Sequence, residues 1–318
     1  MTDRGPVIAL SGGVGGAKLA LGLSHLELGD DLLVVANVGD DFEHLGLSIS
    51  PDLDTVTYTL SGLNDQEKGW GRADEGWRFM DSLGRFGGED WFNLGDRDLA
   101  LHILRTQALQ SGDSLSDFTR RITNQLGITT RVVPMSDDTV RTIVHTEQGD
   151  LAFQNYFVRD KCEPAVEGFE FLGLETARPQ TDFMEGLTNS ALQAVIITPS
   201  NPFVSIDPIL KLSGVSEALR AAIAPVIAVS PIVAGMAIKG PAAKMMAELG
   251  MPNTALAVAE HYGDLLDGFV LDTNDRIQKD AVRDLGIQPF VTKTVMQSLD
   301  DRIDLAREVM SFARVLCG

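Results

Sequence analysis

The apolar pattern of this chain starts close to its beginning. Residues 6–10 form a short apolar run that ends in glycines, as a buried strand does. Leu19, Leu23 and Leu26 then recur at helical spacing within 17–28, and 32–36 is a second unbroken apolar run. The chain therefore opens strand, turn, helix, strand, which is the beginning of a parallel α/β sheet. Strand-like runs return at 131–134, 140–146 and 151–158, separated by the turn residues Ser136-Asp137-Asp138 and Gln148-Gly149-Asp150. Buried strands are expected again at 194–198, 226–229 and 269–272, with helices at 207–222, 242–249 and 300–315. The fold class is α/β, a mostly parallel sheet flanked by helices, with no internal repeat and no low-complexity linker.

The texture changes between residues 63 and 130. Glycine and tryptophan become frequent, Trp70, Trp77 and Trp91 all lie here, and helical patterns appear near 74–83 and 98–127. A mainly helical insertion over 63–130 is expected to interrupt a core built from 1–62 and 131–318. The most apolar stretch, 221–238, is broken by Pro225, Pro231 and Gly235, so it fits a buried strand and its loop better than a membrane span.

Charge narrows the choice of partners. The 318 residues carry 26 basic and 45 acidic side chains, a net charge of −19. A field of that sign repels nucleic acid and acidic headgroups, so neither a nucleic acid nor a membrane is an expected partner. Cys162 and Cys317 are too few for a disulfide framework or a zinc site. Residues 1–6 lack the features of a signal peptide, and a cytoplasmic location is expected.

The chemistry is concentrated just past the first strand, in Ser11-Gly12-Gly13-Val14-Gly15-Gly16-Ala17-Lys18. Glycines between a strand and a helix let the backbone approach a ligand, and the helix's first N–H groups favour an anion. Gly12, Gly13, Gly15, Gly16 and Lys18 are therefore candidate phosphate binders. Ala17 and Leu19 break the Walker A pattern, and Lys18 stands where a dinucleotide fingerprint needs its third glycine. The second strand ends in Asn37-Val38-Gly39-Asp40-Asp41, followed by Ser50-Pro51-Asp52-Leu53-Asp54-Thr55. Carboxylates beside a phosphate repel it unless a cation intervenes, so Asp40, Asp52 and Asp54 are candidate magnesium ligands. Each alone also reads as a helix cap or turn residue. Ser200 and Asn201, in Pro199-Ser200-Asn201-Pro202, end another strand. His44 and His102 are weaker candidates as proton carriers, and Arg72, Arg97 and Arg159 as anion clamps.

Together with Leu94-Gly95-Asp96-Arg97-Asp98 and Ala228-Val229-Ser230-Pro231-Ile232, these segments resemble the 2-phospho-L-lactate transferase (CofD) family from first strand to last helix. The resemblance implies a Rossmann-like core, commonly a homodimer, acting in the biosynthesis of the deazaflavin coenzyme F-420. It implies transfer of a phosphorylated three-carbon acid from a guanosine diphosphate-type donor to the ribityl hydroxyl of the deazaflavin Fo. The acid is 2-phospho-L-lactate, or its phosphoenolpyruvate or 3-phosphoglycerate equivalent. GMP leaves, with magnesium as cofactor. Under it Asp40 and Asp54 hold the metal with Asp52 supporting, Asp40 or Asp41 takes the hydroxyl proton, Ser200 and Asn201 contact nucleotide, and Trp70 in the insertion covers the acceptor. Thr198 and Ala234 depart from the family pattern, where glycine is usual. Two other functions compete: a non-catalytic regulator that binds nucleotide sugars, and a nicotinamide dehydrogenase.

Overall fold

The computed structural model describes residues 5–318. From the amino end run β1 (Val7–Ser11), α1 (Gly13–Ser24), β2 (Leu32–Ala36), the hairpin β3 (Phe42–His44) and β4 (Leu47–Ile49), and α2 (Pro51–Leu60). Three helices follow, α3 (Arg78–Arg85), α4 (Asp98–Gln110) and α5 (Leu115–Gln125), then β5 (Arg131–Pro134), β6 (Arg141–Thr146), β7 (Gly149–Ala152) and β8 (Val166–Leu172). The remainder comprises α6 (Thr181–Leu187), β9 (Ala194–Ile197), α7 (Asp207–Leu210), α8 (Val215–Ala221), β10 (Val226–Val229), and the small hairpin β11 (Ile232–Val233) and β12 (Met236–Ala237). It closes with α9 (Ala242–Glu248), α10 (Ala255–Tyr262), β13 (Gly268–Asp272), α11 (Lys279–Asp284), β14 (Gln288–Thr292) and α12 (Leu299–Leu316).

Seven strands form one parallel sheet in the order β14-β13-β10-β9-β1-β2-β5. The chain builds outward from β1 through β2 to β5, then returns to the other side of β1 and builds outward again from β9. Such a reversal opens a crevice at the carboxyl ends of β1 and β9, where open α/β sheets bind ligands. Val7, Ile8, Ala9 and Leu10 of β1 are fully buried, as the unbroken apolar run requires of a central parallel strand.

The antiparallel strands are set apart. β6 pairs with β7 and β8 in a separate sheet, so the apolar runs at 140–146 and 151–158 do not extend the main one. The second run is also shorter than expected: after Ala152 the chain turns into a π-helical turn, Asn155–Arg159. The pattern over 98–127 is two helices, because Ser111-Gly112-Asp113 breaks it and the Ser114 hydroxyl caps α5 by accepting the Asp117 N–H at 3.0 Å. Gly214, at φ +81°, likewise splits 207–222 into α7 and α8. The helix expected at 74–83 runs from Arg78 to Arg85.

Residues 63–130 pack mostly on two small apolar clusters, while Leu115 of α5 joins the main core. One joins Leu101, Ala108, Phe118 and Ile122 to Tyr58 of α2; the other joins Met80 and Leu94 to Ile49 of β4. Thus α2 and the first hairpin anchor this layer beside the crevice. Among the described residues no helix is long and apolar enough to cross a membrane.

Helix α1 is braced from behind by α12. Gly22 permits this, since a Cβ there would overlap the Arg302 carbonyl. Gly22→Ala would gain about 1 kcal/mol of helix propensity. Overlap with a backbone group in a packed contact costs about 1–3 kcal/mol, and neither helix can give way cheaply. The variant is expected to unfold at lower temperature than wild type in a calorimetric scan; an equal or higher Tm would show that α12 slides aside freely.

Candidate active site

The β1–α1 junction is part of the helix rather than a loop before it. Gly12 is the extended N-cap and Gly13, at φ +63°, is the first helical residue, a left-handed conformation that glycine adopts without strain. Ser200, after β9, clamps the junction: its Oγ accepts the Gly12 N–H at 3.1 Å and donates to the Gly12 carbonyl at 2.7 Å. Thr198 supports the clamp by donating to the Leu10 carbonyl at 2.7 Å and lying 3.0 Å from Ser200 Oγ. Its hydroxyl therefore gives a structural role to the residue that departs from the family pattern. Gly15 and Gly16 admit the second loop. A Cβ on Gly15 would overlap the Pro199 carbonyl, and one on Gly16 would lie 2.5–2.8 Å from three hydroxyl oxygens.

The first anion met by this helix is one of the protein's own. The Gly13 N–H donates to Asp52 Oδ1 at 2.6 Å. Asp52 reaches it because Pro51 starts α2 just below, its fixed φ suiting a first helical position. The other oxygen of Asp52 accepts from Asn37 Nδ2 at 3.0 Å, and the same nitrogen lies 3.3 Å from Asp40 Oδ1 and 3.2 Å from the Val204 carbonyl. Asn37 is fully buried, and its Oδ1 accepts the Gly39 N–H at 2.8 Å, which fixes the orientation of the amide. An amide nitrogen has two hydrogens for these three acceptors, so the carboxylates are under-supplied with donors.

Burial pushes the Asp52 carboxyl up to about 6, against the bonds from Asn37 and Gly13. Burial, with repulsion from Asp52 and Asp41, raises Asp40 well above the usual carboxylate range. Burial also raises Asp41 to about 7, but its Oδ2 accepts from Ser50 at 2.7 Å and it does not line the cavity described below.

Asp54 has a buried partner that the local sequence does not announce. It is ion-paired with Arg105, which is 1 % exposed and also donates to the Ser48 carbonyl at 3.2 Å. His102 sits between two carboxylates, Nδ1 3.7 Å from Asp54 and Nε2 3.3 Å from Asp98, while the Tyr58 hydroxyl donates to Asp98. The ion pair thus occupies one oxygen of Asp54, while Oδ2 is buried without a hydrogen-bond partner and the residue lines the cavity described below. Among the described residues no three His, Cys, Asp or Glu side chains gather closely enough to hold a metal by themselves. Arg105 was missed in the sequence, although Asp98, His102 and Arg105 at i, i+4 and i+7 form one face of α4.

These groups open on a cavity of about 490 Å³, the size of a small-molecule site. Gly12, Gly13, Lys18, Asp40, Asp52 and Asp54 are among its polar lining, and Trp70, Phe92, Phe153 and Phe157 among its apolar lining. Ser200 and Asn201 also line it, but both are engaged. Asn201 Oδ1 caps the π-helical turn Pro202–Ile206 by accepting the Phe203 N–H, and its amide lies 3.3 Å from Met245 Sδ. His44 is removed from the cavity, packed edge-on to Trp91 and Phe92, and burial lowers its pKa. Arg159 pairs with its neighbour Asp160, Arg72 lies over the Tyr58 ring, and Arg97 is exposed.

The family model described as 2-phospho-L-lactate transferase CofD matches residues 7–300. The chain belongs to the CofD family. It is 40% identical to the phosphoenolpyruvate transferase of Streptomyces coelicolor over 313 residues, covering 96% of this chain and 98% of that one. It is 37% identical to the 2-phospho-L-lactate transferase of Methanosarcina acetivorans over 311 residues, 98% of this chain and 100% of that one. A solved structure of a UPF0052-family protein from Bacillus halodurans shares the fold, with a TM-score of 0.65 at 13% identity, covering 98% of this chain and 100% of that one.

In this CofD-family site the buried carboxylates have a thermodynamic signature. The folded protein keeps protons on Asp40, Asp41 and Asp52 to higher pH than the unfolded chain does. It therefore binds more protons than the unfolded state, and stability falls as pH rises from about 4 through about 7. Asp41→Asn removes one contributor, and Ser50 can donate to the new amide. With divalent cations chelated, the variant's Tm is expected to match wild type near pH 4 and exceed it by several degrees at pH 8, at about 2–4 °C per kcal/mol. A constant difference across that range would show that Asp41 titrates normally.

Proposed function

We propose that this protein transfers a phosphorylated three-carbon acid, phosphoenolpyruvate or 2-phospho-L-lactate, from a guanosine diphosphate-linked donor to the ribityl hydroxyl of Fo in coenzyme F-420 biosynthesis. The observation that carries the proposal is the pair Asp40 and Asp52, held against the N-terminus of α1 at the sheet's reversal point. Membership of a family described as a phospholactate transferase supplies the reaction. Relatives named for each of the two acids are similarly distant, so identity does not choose between them.

The residues fit magnesium. Two adjacent buried carboxylates, short of hydrogen-bond donors, match an ion that takes one or two protein carboxylates and fills its shell with phosphate oxygens and water. Asp40 and Asp52 would hold it, and it would offset charge on the diphosphate. The protein's own part is positioning and electrostatics. The glycines of the α1 junction leave room for the diphosphate at the carboxyl end of β1. The hydroxyl oxygen of Fo forms a bond to the phosphorus that bears the acid, while the bridging bond to GMP breaks. Of Asp40 and Asp41, only Asp40 lines the cavity, so Asp40 takes the hydroxyl proton. Trp70 and Phe157 offer flat apolar surface for the deazaflavin ring.

Purified protein with Fo, magnesium and either guanylylated acid is expected to release GMP and form a phosphodiester detectable by mass spectrometry. Asp52→Asn should lower turnover by about 10²–10³-fold, with unchanged circular dichroism. Nucleotide binding without GMP release would sink the transferase proposal and restore the regulator.

A further inference from the structure

Among the described residues, Lys18, Lys239 and Arg302 have no carboxylate within 4.0 Å, although the chain carries 45 acidic and 26 basic side chains. Each rests instead on a neutral oxygen. Lys18 Nζ donates to the Met296 carbonyl at 3.2 Å, Lys239 Nζ to the Lys68 carbonyl at 3.4 Å, and Arg302 Nη2 to Gln66 Oε1 at 3.4 Å. These lie at or beyond the long end of normal N–H···O bonds. Arg302 is only 5 % exposed and its Nε has no partner, a costly state for a buried guanidinium.

The fold brings Lys18 and Lys239 to one cavity and packs the helix that carries Arg302 against α1. Lys18 and Gly22 are one turn apart on the same face of α1, and Gly22 is where α12 packs down at Arg302. Lys239 arrives on the loop between β12 and α9, and both lysines line the cavity. Burial, then Arg302 and Lys239, hold the Lys18 ammonium below its usual range. Like charges converging without a counter-charge favour an anion from outside the chain.

The acidic end of the cavity lies elsewhere. Lys18 is five residues beyond Gly13, about 7.5 Å along the helix axis at 1.5 Å per residue. Gly13 is where Asp52 is pinned. A metal between Asp40 and Asp52 would serve the donor's diphosphate, which leaves the donor's remaining anionic group, the carboxylate of its acid, without a partner there.

We propose that Lys18 and Lys239, with Arg302 of α12 behind them, form the subsite for the carboxylate of the transferred acid. The proposal rests on the transferase function above and reassigns Lys18 from phosphate to carboxylate. It also places acid recognition in part on an exposed loop, where Lys239 reaches toward the 64–72 segment.

Equilibrium binding of three probes in the presence of magnesium tests it: phosphoenolpyruvate, ethyl phosphate, which lacks the carboxylate, and GDP, which lacks the acid. Wild type should bind phosphoenolpyruvate more tightly than ethyl phosphate. Lys239→Gln, at an exposed position that leaves the core untouched, should weaken phosphoenolpyruvate at least tenfold and change ethyl phosphate and GDP less than twofold. Arg302→Gln should act in the same direction. Equal weakening of GDP and phosphoenolpyruvate would assign the cations to phosphate and overturn the proposal. So would unaltered phosphoenolpyruvate affinity in Lys239→Gln, or no binding by wild type at millimolar concentration. Lys239-dependent phosphoenolpyruvate binding without GDP binding would uphold the subsite and overturn the guanosine-linked donor instead.

Discussion

One buried amide ties the site to the sheet. Asn37 stands just past the end of β2, fully enclosed, with its nitrogen shared among Asp40, Asp52 and the Val204 carbonyl. Those three partners come from the β2 loop, from α2 and from the turn after β9, so a single side chain sets the spacing between three segments. Its carbonyl end, spent on Gly39, prevents the amide from turning over. Buried polar groups are costly unless satisfied, which makes the arrangement rigid wherever its bonds are made and demanding wherever they are short. The shortage falls on the two carboxylates. That is how the fold can keep acidic groups buried at a ligand crevice, at a cost in stability that a bound cation relieves.

The second constraint is the seam between the halves of the sheet. Ser200 grips both the N–H and the carbonyl of Gly12, and Gly15 and Gly16 are small because the Pro199–Ser200 loop lies on them. Four of the glycines in the junction are therefore explained largely by backbone geometry and loop packing. Their ligand-binding role follows from the same closeness, since a helix start with no side chains in the way is open to a phosphate.

Much of this was legible from the apolar runs. The strands at β1, β2, β9, β10 and β13 are short, continuous and bounded by turn residues, which is what burial on both faces of a parallel sheet demands. The strand β14 was hidden because Pro289 argues against a strand, yet an edge strand tolerates it. Helix α2 was hidden because Val56-Thr57-Tyr58-Thr59 alternates as a strand would, while Pro51 and the tertiary packing of Tyr58 select a helix. In the site, the residues after β1 and β2 were found because a strand end announces itself locally. Arg105 was not, because its partner Asp54 lies 51 positions away and only folding brings them together. That pairing holds one oxygen of Asp54 and leaves the other without a hydrogen bond.

The distribution of charge then becomes the main determinant of what the cavity accepts. Its acidic end is crowded with carboxylates that burial holds toward neutrality, and its basic end holds cations lacking carboxylate partners. A net charge of −19 would repel a free polyanion at long range, but ions in solution screen that field beyond about 8–10 Å. Inside a cavity of about 490 Å³ the local groups dominate. A ligand with a diphosphate and a separate carboxylate satisfies both ends at once, whereas an inorganic phosphate satisfies one. What disfavours a nicotinamide dinucleotide is local to the sequence: Lys18 stands where the fingerprint needs a third glycine to let the helix pack closely on the strand.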